Sequence, residues 1–168
     1  MKCQLSKNIS CSQKSCGKCN AITIIGEQCK NKTCIRLPFC HIHAKRNLNL
    51  EVKKSLIPNA GCGLFTKKHV KQNYVLVEFI GEKINNREKI KRYPNNDGKY
   101  ILQLKDDLYV DALCVRGIAA MANTKRLKKD CNAIFTTSRD RKKGFLKITK
   151  HLKAGSEIYV YYGNEYKL

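Results

Sequence analysis

Seven of the ten cysteines lie in the first 45 residues, as Cys3, Cys11, Cys16, Cys19, Cys29, Cys34 and Cys40, with His41 and His43 beside them. This crowding constrains the fold more than any other feature. The segment carries few large apolar residues, and a unit below about 40 residues rarely holds together without metals or disulfides. The opening Met1-Lys2-Cys3-Gln4-Leu5-Ser6 lacks the apolar stretch of a secretory signal, and no run of about 18 apolar residues follows. The chain therefore reads as intracellular, with no membrane span and with thiols reduced or metal-bound rather than paired.

Zinc takes four thiolate or imidazole ligands in a tetrahedron, usually as close pairs joined across a loop. Cys40 and His43 form one such pair, and Cys16 and Cys19 offer another. The seven cysteines with His43 supply eight ligands, enough for two four-coordinate ions. One division places Cys19, Cys29, Cys40 and His43 at one site and Cys3, Cys11, Cys16 and Cys34 at the other. The first set also resembles a small zinc motif with a C…GxxC half and an aromatic-C-x-x-H half, here Cys19 to Gly26-Glu27-Gln28-Cys29 and Phe39-Cys40-His41-Ile42-His43. Closed sites of this kind are structural, because catalysis needs an open coordination position. One or two structural ions are expected.

From about Leu50 the composition changes to short β-rich segments separated by proline and glycine turns, with Ala44-Lys45-Arg46-Asn47 as connector. The expected organisation is a Cys/His-rich zinc module over residues 1–45 and a second domain over residues 50–168. In the second domain, strands are expected at Leu50-Glu51-Val52, along Tyr74 to Ile84, and as a hairpin about Lys105-Asp106-Asp107. Ile134 to Thr137, Gly144 to Ile148 and Glu157 to Tyr161 complete a mostly β set. Short helices are expected from Asn85, stopped by Pro94, and over Val115 to Ala122.

Five motifs in order identify what this β domain resembles. Gly61-Cys62-Gly63-Leu64-Phe65, Glu78-Phe79-Ile80-Gly81-Glu82, the strand Tyr100-Ile101-Leu102, Asp111 to Thr124, and Gly155 to Gly163 are similar in sequence and spacing to the SET domain of protein-lysine methyltransferases. Asp130-Cys131-Asn132-Ala133 resembles the asparagine end of a further family segment. The chain departs from the family pattern at Phe79 for Tyr, Gly117 for Asn, Ala120 for Arg, Met121 for Phe and Thr124 for His. The resemblance implies a SET fold of short sheets with few short helices. It implies S-adenosylmethionine bound by Gly61, Cys62, Gly63, Asn123, Thr124 and Tyr162, with Tyr166 as an aromatic lid. It also implies Tyr162 as the catalytic residue, and Phe79, Tyr100 and Val160 on the substrate side. Small basic SET domains without a cysteine-rich segment after them resemble those of large DNA viruses, which implies action on chromatin, in the nucleus of an infected host cell.

The formal net charge is +21. Such a surface attracts polyanions, so nucleic acid or chromatin is the natural partner class. The lysines are also spread along the whole chain beside abundant Asn and Ile, as a compositional background would place them, and charge alone does not separate these readings. A histone tail is the acceptor that the family implies. Because the tail is basic too, either an acidic groove containing Asp106, Asp107 and Glu157 receives it, or the surrounding DNA attracts the enzyme. No carboxylate pair or Ser/His/Asp set suggests hydrolysis, and His69 and His151 read as surface residues. The alternative to an enzyme is a catalytically weak SET fold that serves as a zinc-dependent nucleic-acid or chromatin-binding module.

Overall fold

The computed structural model describes residues 4–6, 9–10, 16–34, 39–96 and 98–162. Near the start, β1 (Gln4–Ser6) pairs with β2 (Ile9–Ser10), and β3 (Cys16–Lys18) pairs antiparallel with β4 (Lys32–Cys34). A helical turn, α1 (His41–His43), runs directly into a π-helical segment, Ala44–Leu48. The expected connector is therefore helical, and Ala44 is buried in the main core.

Three small antiparallel sheets follow. In the first, β5 (Leu50–Lys54) and β13 (Glu157–Ile158) flank β6 (Cys62–Thr66). In the second, β12 (Gly144–Ile148) lies between β7 (Val75–Phe79) and β11 (Ala133–Thr137). In the third, β10 (Leu108–Asp111) lies between β8 (Glu82–Ile84) and β9 (Ile101–Lys105). The mostly β fold is as expected, and the long apolar stretch from Tyr74 to Ile84 divides into β7 and β8. Alternation is clear in β12, where Gly144, Leu146 and Ile148 face inward between half-buried neighbours. These sheets close on one core containing Leu50, Leu64, Leu104, Leu146, Ile148, Ile158 and Val160. No described helix is long and apolar enough to cross a membrane.

The helix α2 (Asn86–Arg92) buries no residue, so its ends hold it in place. The Asn85 side chain accepts from the Glu88 amide at 2.8 Å, an N-cap. At the other end, Arg92 donates to both Glu82 carboxylate oxygens at 2.8 Å, to Glu88 at 2.8 Å and to the buried Asp111 at 3.0 Å. Exposed pairs stabilise little, but a bidentate contact inside a network that reaches a buried carboxylate fixes the helix against β8 and β10. Asp111 also accepts from the Tyr93 hydroxyl at 3.0 Å and the Leu113 amide at 2.9 Å. Val115 to Ala122, expected as a helix, supplies only a 3₁₀ turn at Ile118–Met121.

The last described segment is threaded. Tyr159 forms a parallel bridge with Asn123, and Val160 forms one with Ala133, so the chain passes between two segments separated by the 124–132 loop. Asn132 clamps the passage. Its side chain accepts from the Tyr159 amide at 2.9 Å and donates to the Glu157 carbonyl at 2.9 Å, and its own amide donates to the Tyr159 carbonyl at 3.0 Å.

Glu157, expected in an exposed acidic groove, is instead only 3% exposed. Its carboxylate accepts from the Ser55 hydroxyl at 2.6 Å, the Leu56 amide at 2.7 Å, the Tyr159 hydroxyl at 2.8 Å and the Asn123 side-chain amide at 3.3 Å. A buried carboxylate is tolerable only with such partners, which explains why it cannot serve as a groove wall. Asp107 is also occupied, accepting the Asn86 amide at 2.8 Å, while Asp106 is exposed in the hairpin turn.

Two expectations follow. Glu157→Ala leaves four donors without their acceptor, and at about 1.5–3 kcal/mol per charge-assisted bond the loss should exceed about 3 kcal/mol in urea unfolding; a loss below about 1 kcal/mol would contradict the anchoring role. Burial and the adjacent Asp111 carboxylate push the Tyr93 hydroxyl up to about 12, above its ordinary value near 10. The folded state thus holds this proton more tightly. The associated stability, about 1 kcal/mol after allowance for partial exposure, is present below pH 10 and lost as pH rises toward 12. Tyr93→Phe should flatten that part of the stability profile.

Candidate functional site

An open cavity of about 610 Å³ lies between the β7 and β9 sheets and the threaded segment. Its lining brings together Phe79, Tyr100 and Tyr162, three of the residues expected on the reacting side, with Phe135, Tyr161 and Ala120. Phe79 at the end of β7 meets Phe135 of β11 edge-on, with ring centroids 4.9 Å apart and planes at 73°. Phe135 in turn stacks on Tyr162, with centroids 6.2 Å apart and planes 12° from parallel. The Tyr162 hydroxyl donates to the Ala122 carbonyl, which fixes the ring where the threaded chain leaves the core. Tyr100 is covered on one face by the Arg116 guanidinium, 3.7 Å from the ring centroid. The described charged groups of the cavity wall are Lys89, Lys99 and Lys128, with no carboxylate.

Sequence reasoning missed Phe135, Tyr161 and Ala120. Phe135 was readable only as one more apolar strand residue, although its place three residues after Asn132 ties it to the clamp. Ala120, where the family has Arg, leaves room at the cavity wall. Val160, expected on the substrate side, is fully buried and does not line the cavity. Its bridge to Ala133 turns it into the core, while Tyr161 and Tyr162 reach the cavity.

Of the expected cofactor residues, Cys62 and Asn123 meet directly, with Gly63 beside them. Gly61 has φ +69°, and a β-carbon there would meet nothing within 4 Å, so the loop turns left-handed beside open space. Gly63 has a different cause. A β-carbon there would lie 2.1 Å from the Glu157 carboxylate and 3.3 Å from the Asn123 amide, so its bareness makes room for protein rather than ligand. Asn123 donates to the Cys62 carbonyl at 2.9 Å and to Glu157, while its carboxamide oxygen has no partner among the described residues. That oxygen can accept from an amino group. Thr124 is buried, and its hydroxyl donates to the Lys125 carbonyl at 3.3 Å, so its side chain turns away from the loop. Tyr166 lies outside the described residues. An open left-handed loop, an unused carboxamide oxygen and Tyr162 on one threaded segment fit the polar groups of S-adenosylmethionine.

Four of the expected metal ligands also come together. Cys19, Cys29, Cys40 and His43 are all buried, with their ligand atoms within 4.8 Å of one another. Cys19 Sγ and Cys40 Sγ each lie 3.4 Å from His43 Nδ1. A tetrahedron with ordinary Zn–S and Zn–N bonds has S···N edges of about 3.6 Å, so this set fits a closed zinc site. Although burial raises the Cys40 thiol, hydrogen bonds from the His43 backbone, the Asn31 side chain and the Ile42 backbone outweigh it and hold the group below its ordinary value. This favours the thiolate at Cys40, whereas burial holds the neighbouring Cys19 thiol above its ordinary value. Of the second expected set, Cys3 and Cys11 lie outside the described residues, and Cys16 and Cys34 are described only as register partners of β3 and β4.

The SET domain family model matches residues 61–163, more than half of the chain. The chain belongs to the SET domain family. At family level its chemistry is S-adenosylmethionine-dependent methylation of protein lysines. A variant-silencing SET domain-containing protein of Plasmodium falciparum (isolate 3D7) is 30% identical over 114 residues, covering 62% of this chain and 4% of that protein. The chain thus spans a small fraction of that relative. A solved structure of ctPRC2, in an autoinhibited conformation bound to S-adenosylmethionine, aligns with TM-score 0.60 at 20% identity over 84% of this SET protein and 17% of that chain. At this identity the likeness establishes the shared fold.

Native mass spectrometry should find zinc on the protein, and Cys29→Ser or Cys40→Ser should release an ion. Because Phe39 packs against both the cysteine cluster and the main core, chelation should lower the melting temperature of the whole molecule. Chelated protein melting unchanged would exclude a structural ion at Cys19, Cys29, Cys40 and His43.

Proposed function

We propose that this SET protein transfers a methyl group to the side-chain amine of a lysine in a protein, with a histone as acceptor and chromatin as its place of work. The single observation that carries the reading is the convergence of Phe79, Tyr100 and Tyr162 on one cavity, with Tyr162 on the segment that also bridges to Asn123. S-adenosylmethionine, when bound, supplies an electrophilic methyl group. Gly61, Cys62 and Asn123 would hold its polar end, through loop backbone and the carboxamide oxygen.

The chain's own residues prepare the nucleophile. A free lysine with pKa near 10.4 is almost fully protonated at neutral pH and cannot attack. An apolar wall of Phe79, Phe135 and Ile134 disfavours the ammonium, and Lys89, Lys99 and Lys128 around it repel a further positive charge. Both effects lower the acceptor pKa and send its proton to solvent through the open side. The rings of Tyr100 and Tyr162 hold the alkyl stem and stabilise diffuse positive charge on their faces. The Tyr162 hydroxyl donates a hydrogen bond to the Ala122 carbonyl, and a phenolic oxygen oriented in this way can accept from an amine N–H. Its contribution is alignment.

With Glu157 buried and no carboxylate among the described residues of the cavity wall, the other route considered, in which DNA around the acceptor attracts the enzyme, is favoured over an acidic groove at Asp106 and Asp107. Zinc at the cysteine cluster is read as structural, and a second ion on Cys3, Cys11, Cys16 and Cys34 completes the proposal.

Incubating core histones and nucleosomes with S-adenosylmethionine, followed by mass spectrometry, tests this reading. Methylation at a defined lysine is expected, falling roughly 100-fold in Tyr162→Phe, which keeps the ring but loses the aligning oxygen. If no histone gains a methyl group, the histone acceptor is wrong. If calorimetry also detects no S-adenosylmethionine binding, the alternative of a non-catalytic binding module replaces the enzyme.

A further inference from the structure

The net charge of +21 includes cations that three loops bring together. Segments 67–71, 125–130 and 149–153 are far apart in sequence but joined in space. Val70 and Leu152 exchange backbone hydrogen bonds at 3.0 and 2.9 Å, the Thr149 amide donates to the Asn132 carbonyl at 2.9 Å, and the Lys150 ammonium donates to the Lys129 carbonyl. Together these three loops carry nine Lys or Arg residues and one carboxylate, Asp130. Of these cations only Lys67 has an ion-pair partner among the described residues, Glu51 at 3.8 Å. The other eight have no carboxylate partner among the described residues, and all but Lys125, which lies over the Tyr159 ring, are exposed. His69 and His151 are exposed on the same loops. One end of this ridge reaches the cavity, because Lys128 lines its wall.

We propose that these three loops form a single phosphate-binding ridge for the backbone of duplex DNA, ending at the mouth of the methylation cavity. Backbone-tied loops hold their lysines at fixed spacing, which distinguishes a ridge from scattered charge. The loops contain no Phe, Tyr or Trp, and single-stranded nucleic acid is normally gripped by stacking bases on such rings. Although Tyr74 beside Lys71 is 56% exposed, a surface dominated by cations contacts phosphates and leaves the bases unread, so binding is expected to be independent of sequence. The ridge turns the compositional excess of lysine into a directed surface, and it gives a basic enzyme access to a basic acceptor wrapped in DNA. Only the link to methylation rests on the function proposed above; DNA binding does not.

Fluorescence anisotropy of a labelled 20-base-pair duplex with the zinc-loaded full chain tests it across a salt series. If about five phosphates are neutralised, affinity should fall by roughly 10²–10³ between 50 and 200 mM salt, a log–log slope near −4.5. The double variants Lys129→Glu with Lys153→Glu, and Lys68→Glu with Lys71→Glu, should each lower affinity at least about 10-fold and reduce the slope by about 2. Lys83→Glu with Lys105→Glu, exposed on the β8–β10–β9 sheet, serves as the control for net charge, and melting curves confirm folding of each protein. Equal losses in ridge and control variants, or no DNA binding, overturn the proposal, as does tighter binding to single-stranded RNA or to phosphatidylserine vesicles. Ridge-dependent DNA binding without methyl transfer supports the ridge and counts against the catalytic reading alone.

Discussion

The Glu157 carboxylate is the point on which this structure depends. It is a charge removed from water, stabilised by a hydroxyl and an amide from the loop after β5, by the amide of Asn123 and by the hydroxyl of Tyr159. Those donors come from three separate stretches of chain, so the residue joins the glycine loop, the 3₁₀ region and the threaded segment at one place. Gly63 has no side chain because the carboxylate occupies that space. The loop assigned to cofactor and the tyrosine assigned to catalysis are thereby held relative to each other by one buried ion, which in turn pushes the Tyr159 hydroxyl well above its ordinary range together with burial.

Much of this was legible in the sequence, and the reasons are local. The hairpin about Asp106 and Asp107, the capped helix ending before Pro94 and the alternation in β12 all follow from residue-level rules, and each is present. The convergence of Cys19, Cys29, Cys40 and His43 was readable because thiolate and imidazole spacing is a chemical requirement of a zinc site. Burial was harder. A glutamate in an alternating strand looks the same whether it faces water or four donors, so Glu157 was expected in a groove. Val160 likewise looked like its neighbours, and only the parallel bridge to Ala133 reveals that it faces the core. Such bridges join residues that no local pattern relates.

The cysteine cluster and the methyltransferase core are not independent masses. Phe39 touches both, and Ala44, one residue beyond the ligand His43, lies inside the larger core. A π-helical segment carries the chain from the ligand set directly into β5 without a linker. The Cys/His cluster is therefore packed into the fold as one of its walls rather than tethered to it.

Threading has a consequence for how the molecule comes into being. The Ser55–Glu157 bond joins positions 102 residues apart, and Tyr162 finds its acceptor at Ala122 only after the chain has passed between Asn123 and Ala133. Contacts of such long sequence separation form slowly, because loop closure costs entropy before the contact returns any stability. During synthesis the sheets can pair early, but the aromatic wall stays incomplete until residues near 162 have left the ribosome.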